Sequence, residues 1–372
     1  MYDLIIIGAG LSGLSTALRC KSEDVSVLVL EKGDLPRHKV CGEYLSAEVL
    51  PLLESWGMNL SERPRVTRAM LSAPNGQYRE IQLPLGGVGV SRYFLDESLH
   101  QLARQCGIDV HVREGVKKVR KEGARRFKVE TKSNNYAARW VVSCHGKAVG
   151  RHISTPTDSK RERYIGVKQY YAMDFPDDLV ALHSFRGGYG GSVLVENGWV
   201  DMAFMLKQSL FSRYRNIDKV MRSVLYNNPW MKKLLTDGKP KWEQPMAVSN
   251  FILGRKPDNN GGALTAGDAY AMIPPASGNG MAMAIISGAM MGKQLQEAVR
   301  KNLGMEEVHK AYAREWKHFF KRRLWWGRHV QRFMEHPRAA NVAMQIIKRS
   351  DALLRQTIRQ THGSPESVKQ WI

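Results

Sequence analysis

Short apolar runs separated by glycine turns and polar stretches set the pattern of this chain. Leu4 to Ile7 is apolar and β-branched, long enough for one buried strand. Gly8-Ala9-Gly10-Leu11-Ser12-Gly13 follows directly, and Leu14 to Cys20 carries helix formers. A second apolar run, Val25 to Leu30, ends on Glu31. Strand, glycine turn, helix, strand and acid in this order predict a dinucleotide-binding βαβ unit. Gly8 permits the tight turn, Gly10 lets a pyrophosphate approach the backbone, and Gly13 lets the helix sit close to the strand. The helix N-terminus, through Leu11 and Ser12, offers free N–H groups and partial positive charge to phosphate. Glu31 is placed to bind both hydroxyls of an adenosine ribose, and it would repel a 2′-phosphate.

The pattern continues through the chain. Arg65 to Pro84 alternates apolar and polar residues around Pro74-Asn75-Gly76, a hairpin signal for a second sheet. A helix opens near Ser91, with Leu95, Leu99 and Leu102 on one face. Ile108–Val112, Phe127–Thr131 and Ala138–Ser143 predict strands, the last leading into Cys144-His145-Gly146-Lys147 and Gly150-Arg151. Tyr164–Met173, Leu179–Phe185 and Trp199–Leu206 predict a substrate sheet, with the turn Gly187-Gly188-Tyr189-Gly190-Gly191 giving a ligand close backbone access. Gly254-Arg255-Lys256-Pro257 closes that region. Ala263–Ala269 repeats strand plus turn, and a helix rich in Ala, Met and Gly begins after Pro274. From Met305 the chain is helical, and Pro337 divides two helices.

A length of 372 residues accommodates two domains, and 43% apolar with 24% charged residues is ordinary for a globular protein. Cys20, Cys41, Cys106 and Cys144 show no CxxC spacing, which predicts neither a disulfide framework nor a metal site and fits a reducing, cytoplasmic compartment. Leu4–Leu14 lacks the basic flank of a signal peptide, and no apolar run is long enough to span a bilayer. The net charge of +21 is concentrated in Arg113–Lys128, with eight Lys or Arg against two Glu, and from Glu306 onward, with fourteen against six acids. No nucleic-acid module accompanies it, so nucleic acid is not an expected partner. The charge fits solvated faces as well as it fits an anionic membrane surface or an acidic protein. Trp316, Phe319, Phe320, Leu324, Trp325, Trp326, Val330 and Phe333 interleave with Lys317, Lys321, Arg322, Arg323, Arg328 and Arg332. This stripe suits either peripheral contact with a membrane interface or a helical cover packed on the nucleotide domain.

The turn at Gly8–Gly13, Glu31 and the run Lys39-Val40-Cys41-Gly42-Glu43 resemble the geranylgeranyl reductase family of flavoproteins, within the class that includes the aromatic hydroxylases. That family carries Pro at the position of Val40, and its Cys-Gly loop lies by the flavin. The resemblance implies that Cys41 and Gly42 face the isoalloxazine, with Lys32, Arg37 and Lys39 near phosphate or reduced flavin. Arg92 in Arg-x-x-Leu-Asp-x-x-Leu resembles the position that supports the cofactor, and Val116 is also assigned to cofactor binding. Gly267-Asp268-Ala269 followed by Pro and Gly278-Asn279-Gly280-Met281 resembles the second FAD motif of the class. There Asp268 would accept from a ribityl hydroxyl and the helix start would face the flavin. His145 stands where hydroxylases carry Asp. Gly190 and Gly191 follow Tyr189 where reductases carry aromatics that hold an isoprenoid chain.

The expected fold is α/β. An FAD-binding Rossmann-type domain is assembled from 1–68, 91–154 and 255–300. An inserted antiparallel β-sheet substrate domain comprises 69–90 and 155–254, and a C-terminal helical region spans 301–372. The expected activity is an FAD-dependent oxidoreductase reducing a carbon–carbon double bond of a polyprenyl-like substrate, with Cys41 and Tyr189 as catalytic candidates. The alternative is a monooxygenase acting on an aromatic or phenolic lipid. Without a second dinucleotide fingerprint, electrons would come from transiently bound NAD(P)H or from a redox protein.

Overall fold

The computed structural model describes residues 1–22, 25–147, 161–256 and 261–372. Gly150, Arg151 and Pro257 lie outside the described residues. The first sheet contains β1 (Tyr2–Ile7), β2 (Val27–Leu30), β6 (Asp109–His111), β7 (Val116–Gly123), β8 (Arg126–Thr131), β9 (Asn135–Ser143) and β17 (Leu264–Thr265). Its order is β6-β2-β1-β9-β8-β7, with β17 also on β9. β1 pairs in parallel with both β2 and β9, so its carboxyl end is flanked on both sides. Ligands of open α/β sheets bind outside such strand ends.

The second sheet contains β3 (Tyr44–Ser46), β4 (Arg65–Ser72), β5 (Tyr78–Gly89), β10 (Arg163–Ala172), β11 (Leu179–Phe185), β12 (Gly188–Leu194), β13 (Val200–Lys207), β14 (Lys239–Pro240) and β15 (Met246–Ile252). Its pairs are antiparallel except β11 with β4, which are parallel. It takes in Tyr44–Ser46 and the first half of β4, Arg65–Arg68, from the 1–68 segment. β16 (Gly254–Arg255) and β18 (Ala271–Met272) form a small ribbon.

Helix α1 (Leu11–Cys20) packs on the first sheet and against α7 (Gly280–Lys301). Short α2 (Leu50–Ser55) and longer α3 (Arg92–Gln105), capped by the Ser91 hydroxyl, flank the same core. Helices α4 (Gln208–Tyr214), α5 (Ile217–Ser223) and α6 (Pro229–Asp237) cover the outer face of the second sheet. Helices α8 (Met305–Glu335), α9 (Pro337–Ile347), α10 (Asp351–Thr361) and α11 (Pro365–Val368) wrap over both sheets.

The aromatic stripe of α8 is divided. Tyr312, Trp316 and Phe320 are buried against α7 and the first core, and Phe319 is partly buried against it. Arg323 is buried and donates to Glu48 Oε2 at 3.0 Å, so it is a structural cation and not a surface one. Trp325 and Phe333 are 49% and 52% exposed. The helical period explains the split: residues three and four apart share a face, and the run of aromatics is long enough to occupy both faces.

Trp371 is fully buried, 4.7 Å from the Phe319 ring, and its indole N–H donates to Glu315 Oε1 at 2.8 Å. Trp371→Ala should therefore destabilise the protein by about 3–5 kcal/mol, the usual cost of emptying such a site. Urea unfolding midpoints measure it, with the slope unchanged if the fold stays two-state.

Candidate FAD and substrate site

Two connected cavities mark the site. The first, of about 800 Å³, lies at the carboxyl ends of β1 and β2. Gly8, Gly10, Leu11 and Ser12 line it from the glycine turn, Glu31, Lys32 and Arg37 from the end of β2, and Val116 from β7. The second, of about 240 Å³, runs between the second sheet and α10. Leu11, Val40, Arg92, Lys147, Asp268 and Ala284 border both cavities, so they define the junction.

The glycine turn is built for backbone approach. Gly8 has φ +106°, and a Cβ there would lie 2.6 Å from the Cys144 carbonyl oxygen. A Cβ on Gly13 would lie 1.9 Å from the Gly8 carbonyl oxygen, so Gly13 serves helix–strand packing and does not line the cavity. Gly10 is open: the nearest groups to a Cβ there are Arg92 Nη2 at 3.8 Å and Lys39 Nζ at 3.9 Å. A helix N-terminus facing two cations is a site for a pyrophosphate. Asp96 holds both cations in place, at 2.5 Å from Lys39 Nζ and at 3.0 and 2.9 Å from the Arg92 fork. Burial pulls the Lys39 ammonium below its ordinary range while Asp96 opposes it. Burial acts likewise on the Arg92 guanidinium, but Asp96, Cys41 and Glu43 together outweigh it and the net shift is upward.

Glu31 is engaged before any ribose arrives. Its Oε2 accepts from the Ala9 amide at 2.9 Å, and its Oε1 accepts from the Gly33 amide at 3.0 Å and from Arg37 at 2.8 Å. The acid therefore shapes the turn as well as facing the cavity, and Ala9 contributes its N–H to Glu31. At the junction, Lys147 Nζ donates to the Val40 carbonyl at 3.1 Å and Lys256 Nζ to the Gly146 carbonyl at 2.9 Å. Burial lowers the Lys256 pKa, with Asp268 opposing.

The second motif meets the first at this junction. Gly267 has φ +63° and a Cβ there would lie 2.6 Å from Ser12 Cβ, so it fits the α1 surface closely and is not itself exposed to the cavity. Asp268, Gly278, Gly280 and Met281 do line the second cavity. Asn279 departs from the expected role. Its side chain turns away, with Nδ2 donating to Glu48 Oε1 at 2.6 Å and to the Thr361 carbonyl at 3.2 Å. A buried carboxylate partner is worth more to an amide than a solvated flavin edge. Sequence reading had no means of pairing residues 48 and 279.

Cys41 and Gly42 line the second cavity at the junction end, and Tyr189 lines it from β12. Tyr189 is buried, and burial first, then the nearby Cys41, Glu335 and Tyr164, pushes its hydroxyl pKa well up. Gly190 and Gly191 point to opposite faces of β12. A Cβ on Gly190 would meet Met231 at 2.9 Å behind the sheet, whereas Gly191 lines the cavity.

Glu43 closes the Lys39–Glu43 motif, but its partners are visible only in three dimensions. It has φ +48°, a conformation that costs a non-glycine residue about 1–3 kcal/mol. Its buried carboxylate offsets that cost by accepting from the Arg92 amide at 2.7 Å and the Tyr170 hydroxyl at 2.6 Å, and by pairing with Lys168. Neither Lys168 nor Tyr170 carries a motif, so nothing in the sequence marked them.

These features are those of a flavoprotein: a dinucleotide turn, paired cations at a helix N-terminus, and a second glycine motif at the opposite edge. Residues 6–40 match the NAD(P)-binding Rossmann-like domain model. The chain is 24% identical over 336 residues to digeranylgeranylglycerophospholipid reductase 2 of Methanopyrus kandleri, covering 86% of this chain and 83% of that one. A geranylgeranyl bacteriochlorophyll reductase-like protein from Thermoplasma acidophilum superposes with a TM-score of 0.73 at 20% identity, covering 100% and 95%. A flavin-dependent brominase superposes with a TM-score of 0.75 at 17% identity, covering 99% and 97%, which shows the shared fold. The chain is an FAD-dependent oxidoreductase. Within that class it is similar to proteins named as geranylgeranyl-type reductases.

Glu31→Ala and Asp268→Ala should each weaken FAD binding about ten- to a hundredfold, since a charge-assisted hydrogen bond contributes roughly 1.5–3 kcal/mol. Flavin fluorescence titration of the apoprotein measures this. Acid precipitation of the wild type should release FAD into a yellow supernatant, as expected of a noncovalent cofactor.

Proposed function

We propose that the protein reduces a carbon–carbon double bond in a lipophilic, polyprenyl-like substrate. The observation that carries this reading is the second cavity. It runs from the junction along one face of the second sheet, where Ala69, Gly166, Gly191 and Ala203 form a low floor and Leu71, Leu83, Val180 and Leu182 form apolar walls. Leu354 and Ile358 of α10 close it from above. Apart from the groups at the junction and polar tips on α10, its lining suits a hydrocarbon chain. The relatives named for lipid reductases support the same class.

Bound FAD supplies hydride chemistry at its ring. The chain's own contribution is placement. Cys41 and Gly42 bring the backbone close to one side of the junction, while Gly278, Gly280 and Met281 present the start of α7 on another. Tyr189 and Cys41 remain the candidates for contact with the reacting carbons. Gly191 leaves room beside Leu182, so a chain can lie flat against β12. Electrons would come from a transiently bound nicotinamide or from a redox protein, and bleaching of the flavin by NADPH alone distinguishes the first from the second.

The test is the product. Dithionite-reduced enzyme mixed anaerobically with a geranylgeranyl-chain glycerophospholipid should yield lipid heavier by two hydrogens. A product heavier by one oxygen under aerobic turnover would establish the monooxygenase alternative instead. Gly191→Phe should retain FAD and lose product formation at least tenfold, because the ring would fill the cavity floor.

A peripheral membrane association belongs to this reading, because a polyprenyl substrate resides in a bilayer. Residues 316–350 contain nine Lys or Arg and a single acid, Glu335, which is buried. Trp325, Phe333, Val342 and Ile346 are exposed among those cations. Each surface cation contributes about 1 kcal/mol toward an anionic leaflet. Among the described residues no helix is long and apolar enough to cross a membrane. Cosedimentation with anionic liposomes should fall as salt rises. Arg322→Glu with Arg328→Glu and Arg332→Glu should abolish it and leave FAD in place. Wild-type protein that stays in the supernatant at low salt would refute the association.

A further inference from the structure

Three buried groups next to the second cavity play no part in holding FAD. Lys168 and Tyr170 lie on β10, and Asp201 lies opposite Tyr170 on β13. Alternate strand residues share a face. These three therefore stand on the face that carries Gly166 and Ala203, which line the cavity floor. All three are 0% exposed. Glu43 completes the group from the cofactor loop and lines the cavity itself.

The contacts converge on Lys168. Its Nζ lies 3.4 Å from Asp201 Oδ1, pairs directly with Glu43 Oε1 and donates to the Tyr170 hydroxyl at 3.1 Å, and that hydroxyl donates to Glu43 Oε2 at 2.6 Å. Two carboxylates here share one ammonium. With all three ionised, a net negative charge would be buried, which is costly. One carboxyl must hold a proton. Burial raises the Glu43 carboxyl as well, but Glu43 pairs with Lys168 and accepts from Tyr170 and the Arg92 amide, and these contacts oppose the shift. Neither oxygen of Asp201 accepts a hydrogen bond. Burial therefore prevails there and pushes its carboxyl well up, with Lys168 opposing. Burial would lower the Lys168 ammonium, but Asp201 and Glu43 outweigh it. The other charged or titratable groups near the cluster are accounted for. Arg92 is held by Asp96, and Glu196 accepts from the Ser91 amide. Cys41 borders the cavity. His38 packs on Tyr170 and is kept neutral by burial and by Lys168.

We propose that Asp201, Lys168, Tyr170 and Glu43 form a proton relay that delivers to the cavity the proton consumed when the double bond is reduced. This rests on the reductase reading above. Bound reduced FAD would supply the hydride to one alkene carbon and be left oxidised. The π electron pair forms the second C–H bond with a proton from Glu43. Glu43 obtains that proton from the Lys168 ammonium, either directly or through the Tyr170 hydroxyl, and Lys168 is replenished by the Asp201 carboxyl. Each group between the two carboxyls that carries the proton gains one and loses one. Asp201 ends ionised and regains its proton between turnovers. Glu43 is the terminal donor, and the other three act through it.

The experiment is a single turnover. FAD-loaded enzyme, reduced with stoichiometric dithionite, is mixed anaerobically with a detergent-dispersed geranylgeranyl-chain glycerophospholipid. Return of the oxidised flavin absorbance and product mass are followed across pH. Wild-type rates should fall as pH rises through the pKa of Asp201, because the acid must be protonated to supply the relay. Asp201→Asn keeps the shape and neutral charge but removes the proton. It should slow reoxidation roughly a hundredfold, the scale of general acid catalysis. It should also lose the alkaline limb, with FAD content and dithionite reduction unchanged. Glu43→Gln keeps the shape and removes the terminal acid, and it should act alike, so it decides the matter if Asp201→Asn fails to retain FAD. Product formation by the wild type together with variants within twofold of it at every pH would overturn the relay and leave the reductase reading standing. Absence of any product from the wild type would overturn both.

Discussion

The close packing of α1 on α7 is the constraint on which the rest depends. The two cofactor motifs are more than 250 residues apart in the chain and must share one ligand. They meet because α7 presents glycines to the α1 backbone. A Cβ on Gly288 would lie 2.3 Å from the Ser12 carbonyl oxygen, and one on Gly292 would lie 2.7 Å from that of Thr16. Any larger residue would force the helices apart and with them the turns they carry. Polar bonds then fix the register. Thr16 Oγ1 donates to the Ser12 and Gly288 carbonyls at 2.8 and 3.1 Å, and the Gly267 amide donates to Ser287 Oγ at 2.8 Å. Ser287 Oγ in turn shares a hydrogen bond of 2.6 Å with Tyr312, so α8 is fastened to the same joint.

Glu48 does for the C-terminal cover what Ser287 does for the joint. Its carboxylate gathers Asn279 Nδ2, Arg323 Nη1 and the Gly363 amide, each from a different part of the chain. A buried carboxylate satisfied three ways is stable, whereas removal of one partner would leave charge uncompensated. The cover is thereby secured near the start of α7, where Gly280 and Met281 border the cavity. This explains why Asn279 is needed without touching a ligand.

The βαβ unit was legible because each of its parts is local: a run, a turn, a helix and an acid within some thirty residues. β4, β5, β10, β11 and β13 of the second sheet were legible for the same reason, from period and turn residues, whereas Gly188–Gly191, read as a turn, belongs to strand β12, because glycine carries no side chain to show the period. What sequence could not reveal were contacts fixed by topology. Lys168, Tyr170 and Asp201 reside in strands that read as ordinary sheet, and only the β10–β13 register places them together. Arg323 looked like one more surface cation in a basic stripe, because the side of a helix that faces Glu48 depends on how α8 crosses α7. Gly190 and Gly191 looked equivalent, yet adjacent strand residues face opposite ways and only one of them shapes the cavity.

An apolar cavity beside a cluster of buried charges is a physical contradiction unless the charges are closed on themselves. Here they are. Lys168 faces Glu43 and Asp201, Arg92 and Lys39 face Asp96, and Arg323 faces Glu48. A hydrocarbon entering past α10 therefore meets few unpaired ions, and Lys147 at the junction is engaged by the Val40 carbonyl. Lys39 and Arg92 share the single carboxylate of Asp96 near Gly10, so one positive charge there is left for a diphosphate to balance. Sorting of this kind gives the first cavity the character of an anionic-ligand site and the second that of a hydrocarbon site. They meet where Leu11, Val40, Arg92, Lys147, Asp268 and Ala284 border both, and Cys41, Gly42 and Glu43 follow Val40 there in a single turn of chain.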